Sequence, residues 1–148
     1  MRKQRTTRVI PITAAVLADK VINREAYERV FDAMEAERVD GLVVGDSPDH
    51  ITNREVIVEL AARHRLPTIY PYREYVDVGG LASYGTDTAD LLRRLANMAD
   101  QILRGAKTGD IPFYQQTKFE LVLNRTTARS LGLEFPPSLL GIADEVID

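Results

Sequence analysis

The stretch GLVVG at residues 41–45 decides the fold class. It is short and apolar throughout, which is typical of a strand that is buried on both faces of a parallel sheet. The polar residues Asp46 and Ser47 follow it at once, and a helical segment then leads to a second short strand, PTIY at residues 67–70. This order of strand, helix and strand predicts parallel pairing, because the helix returns the chain to the same end of the sheet.

The same alternation continues on both sides of this unit. Residues 9–13 predict a first strand, in which Pro11 lacks an amide donor and therefore favours an edge position. Further along the chain, GGLASYG at residues 79–85 and FELVL at residues 119–123 have the short apolar or alternating patterns of strands. Strand and helix alternate about five times, so the sequence predicts an α/β fold with a mainly parallel sheet flanked by helices.

Two of the early helices have recognisable start signals. Asn23 is expected to cap a helix whose apolar residues recur three and four positions apart. Thr52 and Glu55 have the spacing of a capping box, which predicts a helix from there to about His64. The residues of that helix expected to face inward are Val56, Ile57, Leu60 and Ala61.

The later helices are marked in the same way. Thr86 or Asp87 is expected to cap a long helix that ends before Gly105. Its apolar stripe consists of Leu91, Leu92, Leu95, Met98, Ala99, Ile102 and Leu103. A short helix is predicted between Asn124 and Gly132. A last amphipathic helix is predicted from the prolines at 136–137, with Leu139, Leu140, Ala143, Val146 and Ile147 on its apolar face.

The composition of the 148 residues excludes several kinds of site. There are no cysteines and only two histidines, which excludes disulfides and thiolate sites and argues against a zinc centre. The net charge is −3 and the basic excess lies only near the start of the chain, so we expect no nucleic-acid partner. We expect no membrane span, a flexible basic terminus at residues 1–8, and a single α/β domain at residues 9–148.

The polar residues after the 41–45 strand allow two interpretations. Asp46 and Asp49 could hold Mg²⁺ at a strand end, or they could serve in a turn. His50 lies where α/β sheets bind ligands, but it also fits a polar loop histidine. No third group is spaced to orient His50, so a small metal-assisted enzyme is an alternative only. No cofactor motif occurs, and we predict no catalytic residue, no metal and no cofactor.

The segment YPYREY at residues 70–75 combines three tyrosines with Arg73 and Glu74. Aromatic rings supply stacking area, and an arginine can clamp a carboxylate with two parallel hydrogen bonds. This mixture suits a small zwitterionic or aromatic ligand. The same residues also fit a helical turn with Tyr72 and Tyr75 on one face and a solvated pair of Arg73 and Glu74.

Several segments, in order, resemble one known family. They are ELAARHRLPTIY at residues 59–70, GGLASYG at 79–85, ILRGAK at 102–107, TKFELVLN at 117–124, ARSLG at 128–132, PPSLL at 136–140 and ADEVI at 143–147. They resemble the ABC-transporter substrate-binding proteins, which have a type I periplasmic-binding-protein fold. The resemblance implies two α/β lobes that close over a small ligand, in some members an aromatic amino acid, and deliver it to a membrane permease without any reaction. It covers only the C-terminal lobe and the returning segments.

The resemblance also implies which residues line the ligand cleft, because loops at strand ends form the cleft in this family. The ligand-binding residues implied here are Asp46, Ser47, Tyr70, Arg73, Glu74, Ser83 and Tyr84. The ligand it implies is a small polar molecule such as an amino acid.

The resemblance leaves the helix after residues 79–85 without its family partner, the N-terminal lobe. An apolar stripe of that length is a large exposed patch for a monomer, so we predict a homodimer, with exchange of the 79–85 segment as one form of it. The resemblance implies a periplasmic location, whereas a natural start at Met1 without a signal peptide implies the cytoplasm. The alternative function is therefore a leaderless cytoplasmic interaction or sensor domain that acts as a homodimer.

Overall fold

The computed structural model describes the backbone of residues 9–11 and the whole of residues 23–148. The strands are β1 (Val9–Pro11), β2 (Gly41–Val43), β3 (Thr68–Tyr70), β4 (Ala82–Thr86), β5 (Phe119–Asn124) and β6 (Glu145–Ile147). The helices are α1 (Arg24–Ala36), α2 (Pro48–Thr52), α3 (Arg54–Arg63), α4 (Arg73–Asp77), α5 (Thr88–Leu103), α6 (Arg125–Leu131) and α7 (Pro137–Leu140), and a 3-10 turn spans Thr108–Asp110. The predicted flexible terminus at residues 1–8 lies outside the described residues.

The six strands form one sheet in which their order across the sheet is their order along the chain. Every neighbouring pair is parallel except β4 and β5, which are antiparallel. Among the described strands β1 pairs only with β2, so Pro11 lies at an edge of this sheet, as its missing amide donor predicts. The prediction of an α/β fold with a mainly parallel sheet flanked by helices is confirmed.

The main core lies between the sheet and helices α1 and α3. Asn23 caps α1 by accepting a hydrogen bond from the amide of Ala26, at 3.0 Å. The helix then buries the face that its periodicity predicts, and α3 packs beside it. The largest buried side chains of this core are Tyr27, Phe31, Ile57, Leu60 and Tyr75. A second, smaller cluster joins β4 and β5 to α6, where Asn124 caps the helix and Gly132 ends it with φ of +74°.

β2 is not buried on both faces, contrary to the sequence prediction. Leu42 and Val44 are buried, whereas Val43 is 43% exposed. Its partner in the register, Ile69, is exposed as well. Helices α1 and α3 cover the face that holds Leu42 and Val44, and in the described part of the chain no helix covers Val43. Among the described residues, the sheet is therefore covered on only one face at this position.

The predicted capping box at Thr52 is wrong. Pro48 starts the short helix α2, since proline is well suited to a first helical position, and Thr52 becomes its last residue. The Thr52 hydroxyl donates to the carbonyl oxygen of Pro48 at 2.9 Å instead of capping a later amide. Helix α3 begins after Asn53 and buries Ile57, Leu60 and Ala61 together with Val58, while Val56 is partly buried.

The predicted last helix is also shorter than expected, because α7 ends at Leu140. Val146 and Ile147 lie in β6, parallel to β5. Asp144 redirects the chain: its amide donates to the Leu121 carbonyl oxygen at 2.9 Å, and its Oδ2 accepts from the Leu121 amide at 2.8 Å. Val146 and Ile147 therefore pair with the edge of β5. Both are β-branched, and such residues favour strands over helices.

Candidate functional site

The carboxyl ends of β2, β3 and β4 meet at one edge of the sheet, because these strands are parallel. The loops that follow them border an open cavity of about 550 Å³. The described residues that line it are Asp46, Ser47, Pro48, Ile51, Tyr72, Glu74, Thr86, Thr88, Leu91 and Gln116. This edge is where open α/β sheets bind ligands.

The loop from β2 to α2 carries Asp46 and Ser47 into the cavity. Its geometry is held by His50, which lies on α2 and is only 2% exposed. The Nδ1 atom of His50 donates to the carbonyl oxygen of Gly45 at 3.0 Å, and the imidazole meets the Tyr27 ring edge-on at a centroid distance of 6.0 Å. His50 is therefore a buried anchor of the loop, and both the loop-histidine and the ligand-edge interpretations are wrong.

A metal-assisted cluster at this loop is not supported. The His50 ring points into the core, so it cannot share an accessible site with Asp46 and Asp49. Within residues 9–11 and 23–148, no three histidine, aspartate or glutamate side chains are grouped so that they could hold a metal ion.

The loop from β3 to α4 supplies the opposite wall of the cavity. Tyr72 lies next to Asp46, and burial together with that carboxylate raises the pKa of the Tyr72 hydroxyl. Glu74 follows in the first turn of α4. Its Oε2 atom is shielded from solvent and has no hydrogen-bond partner among the described residues.

Arg73 is engaged by protein carboxylates and lines a neighbouring cavity of about 470 Å³. Its two terminal nitrogens donate to Glu145 at 2.9 and 3.3 Å. Glu120 and Asp77 approach the same guanidinium at 3.5 Å. The hydrogen bonds with Glu145 and Asp77 raise the pKa of Arg73, even though burial opposes the shift. The guanidinium therefore connects α4 to β5 and β6. Most of its N–H donors face these carboxylates, so few are available to a ligand.

The remaining predicted site residues lie away from the cavity. Tyr70 is buried in the core, where its ring stacks on Tyr75 at 4.9 Å, and burial raises the pKa of the Tyr70 hydroxyl. Ser83 is buried beside it in the sheet. Tyr84 points to the other face, where it is 56% exposed and stacks on Phe119 at 5.7 Å. Of the predicted residues, the cavity therefore brings together Asp46, Ser47 and Glu74.

Several cavity residues escaped the sequence analysis. Thr86 and Thr88 flank Asp87, whose carboxylate caps α5 by accepting from the Asp90 amide at 2.8 Å. This cap could have predicted both threonines as site residues, because the residues around a helix start that follows β4 lie at the carboxyl end of that strand. The position of Gln116 could not be predicted in this way, because Gln116 lies in the long irregular connection between α5 and β5. Its side chain donates to the Asp87 carbonyl oxygen at 3.3 Å.

Comparison with known proteins supports the resemblance read from the sequence. A Clostridioides difficile protein named "Tyrosine-binding protein" is 25% identical over 97 residues, which are 66% of this chain and 28% of that protein. A Streptococcus pneumonia ABC domain solved in complex with L-Trp superposes with a TM-score of 0.75 at 28% identity, over 86% of this chain and 44% of that one. A conserved domain protein from Vibrio cholerae has the same fold, with a TM-score of 0.75 at 23% identity, over 85% of this chain and 42% of that one.

The chain thus spans less than half the length of these relatives. None of the helices in residues 23–148 has the length and apolarity needed to cross a bilayer. The family described as ABC transporter substrate binding protein matches residues 14–147, which is nearly the whole sequence. The chain therefore belongs to the ABC transporter substrate binding protein family.

Proposed function

We propose that this chain is a non-catalytic solute-binding lobe that takes a small polar molecule such as an amino acid. The observation that carries the proposal is the cavity at the carboxyl ends of β2, β3 and β4, with Asp46, Ser47 and Glu74 on its walls. Relatives that bear the words "Tyrosine-binding protein" and "in complex with L-Trp" in their descriptions support an amino acid as the solute.

The dimensions and lining of the cavity support the same proposal. Its volume of about 550 Å³ falls within the range of about 300–1,000 Å³ that is usual for small-molecule sites. Pro48, Ile51 and Leu91 offer apolar contacts for a hydrocarbon side chain, and the polar groups around them would fix its orientation. The other candidates, Tyr70, Ser83 and Tyr84, have no place in this cavity, and Arg73 borders it through the neighbouring one.

Titration calorimetry with the twenty amino acids tests the proposal. We expect saturable binding of at least one amino acid, and we expect Ser47→Trp to abolish it because the indole fills the cavity. Ser47 makes no capping hydrogen bond, so this variant should still fold. Ser138→Trp, on the exposed surface of α7, is the matched control and should bind like the wild type. Equal binding by both variants, or no binding by the wild type, would refute the proposal.

We extend the proposal to partners. As one lobe of a substrate-binding protein, residues 9–148 would present their solute to a permease in the compartment where that permease receives it, which the family resemblance makes the periplasm. A second copy of this chain would cover α5, whose apolar residues Leu92, Leu95 and Leu103 are exposed. Docking of the two α5 faces is the simplest form of this homodimer, and exchange of residues 79–85 is the other.

A further inference from the structure

Two glycines of β4 and its approach contact the segment that follows β3. A β-carbon at Gly80 would lie 2.6 Å from the carbonyl oxygen of Tyr75, and one at Gly85 would overlap the carbonyl oxygen of Pro71. Neither position has room for a side chain. Residues 70–75 are therefore packed against the β4 region at two points, each of which requires glycine.

The contact at Gly80 belongs to the core. Its amide donates to the carbonyl oxygen of Tyr75 at 2.8 Å, and an added β-carbon would lie 2.8 Å from the ring of Tyr70. Both tyrosines are buried and stacked on each other. Gly80 therefore supports the interior, and it does not line the cavity.

The contact at Gly85 lies beside the cavity. Pro71 is followed by Tyr72 and Gly85 by Thr86, and both of these following residues line the cavity. A β-carbon at Gly85 would also lie 2.9 Å from the carbonyl carbon of Pro71. The obstacle is backbone and not the end of a flexible side chain, so the loop itself would have to move.

The position of the Tyr72 ring depends on this loop, because Tyr72 is the next residue after Pro71. Burial raises the pKa of the Tyr72 hydroxyl, and the carboxylates of Asp46 and Glu74 add to the shift. A displacement of Pro71 would carry the ring with it and change its distance from these groups. The hydroxyl of Tyr72 therefore reports on where the loop lies.

We propose that Gly85 is a positioning residue of the solute cavity, because its missing side chain lets Pro71 rest on β4 and so holds Tyr72 in the cavity wall. The inference rests on the proposed solute-binding function and adds a residue to it. Gly85 itself is not among the described residues that line the cavity, so it acts on the solute through Tyr72.

Titration of Tyr72 tests the positioning role without any solute. Carbon NMR of ring-labelled tyrosine follows the hydroxyl, and Tyr72→Phe identifies its signal. We expect Gly85→Ala to lower the pKa of Tyr72 towards its ordinary value, because the ring becomes more exposed and leaves the carboxylates. Gly109→Ala is the matched control, since its added β-carbon would meet nothing within 4 Å, and it should leave the pKa unchanged.

A double-mutant cycle tests the effect on the solute. Titration calorimetry uses the amino acid that the wild type binds most tightly among the twenty. We expect Gly85→Ala to weaken its binding about tenfold, because the aromatic contact is displaced. In a Tyr72→Ala chain the same change should alter affinity by less than about twofold, since the residue through which Gly85 acts is gone.

The possible results separate this inference from the proposed function. An unchanged Tyr72 titration in Gly85→Ala, or an equal loss of affinity with and without Tyr72, would overturn the inference. Failure of Gly85→Ala to fold would overturn it too, because the contact would then serve the core. If the wild type binds no amino acid, the proposed function fails, whereas the Tyr72 titration still decides whether Gly85 positions the ring.

Discussion

At the scale of single residues, a buried histidine holds the candidate site in shape. His50 is almost fully buried and lies behind the loop that carries Asp46 and Ser47. Its hydrogen bond to the Gly45 carbonyl oxygen ties the end of β2 to the first turn of α2. His50, for which the sequence left a ligand-edge interpretation open, is thus a positioning residue.

We expect His50→Ala to lower both the stability of the chain and its affinity for solute. The change leaves the Gly45 carbonyl oxygen without its donor and opens a void beside Tyr27, which together should cost about 1–3 kcal/mol of unfolding free energy. Urea denaturation measures the first effect and calorimetric titration the second. His64→Ala is the control, since His64 pairs with exposed carboxylates and should affect solute binding little. Unchanged binding in the His50 variant would show that the loop keeps its shape unaided.

The placement of the tyrosines shows what the sequence could not settle at this scale. Residues 70–75 were recognisable as a group at the end of a strand, and that position is correct. Whether a given ring faces the core or the cavity depends on the residue at which β3 ends. Tyr70 is its last residue and turns inward onto Tyr75, whereas Tyr72 lies beyond it and reaches the cavity. A shift of one residue reverses such assignments, and periodicity does not fix a three-residue strand that closely.

At the scale of elements, the helices with a strong local signal were predictable. Asn23, Asp87 and Asn124 each accept a hydrogen bond from the third amide beyond them, as their residue types predict. The predicted last helix was partly wrong because a strand distant in the chain decides the conformation of its second half. Residues 145–147 form β6 because they pair with the edge of β5. The sequence of residues 136–147 alone does not indicate that this edge is available.

The dependence of β6 on Asp144 is testable. We expect Asp144→Ala to lower the free energy of unfolding by about 1–2 kcal/mol, because the Leu121 amide loses its carboxylate acceptor. Hydrogen exchange should report faster exchange at the amides that pair β5 with β6, while those of α1 and α3 stay protected. Glu134→Ala, which removes an exposed carboxylate nearby in the chain, should change neither quantity. Equal protection of β6 in both variants would mean that its backbone pairing alone holds it.

At the scale of the whole molecule, the candidate site and the exposed helix α5 are directly connected. β4 runs from the sheet into α5, and the residues at that junction, Thr86 and Thr88, line the cavity. Yet α5 buries none of its side chains, although its apolar stripe follows the helical period. The stripe itself was predictable from the sequence, because it follows from local periodicity.

An exposed stripe of this length predicts association. Leu92 is 60% exposed, Leu95 50% and Leu103 87%, and burial of a leucine side chain contributes about 1.5–3 kcal/mol. We therefore expect light scattering to give twice the chain mass of 16.6 kDa over a wide range of concentration. Leu95→Glu should shift the protein to the monomer, because it places a charge in the middle of the stripe.

The control for this prediction is Asn97→Glu, which adds the same charge on the opposite side of α5 and should leave the dimer intact. Dissociation by both variants would point to net charge rather than to the stripe. A wild type that stays monomeric at every concentration would contradict self-association. The apolar face of α5 would then require a partner that is not a second copy, and solute binding would have to be measured with that partner present.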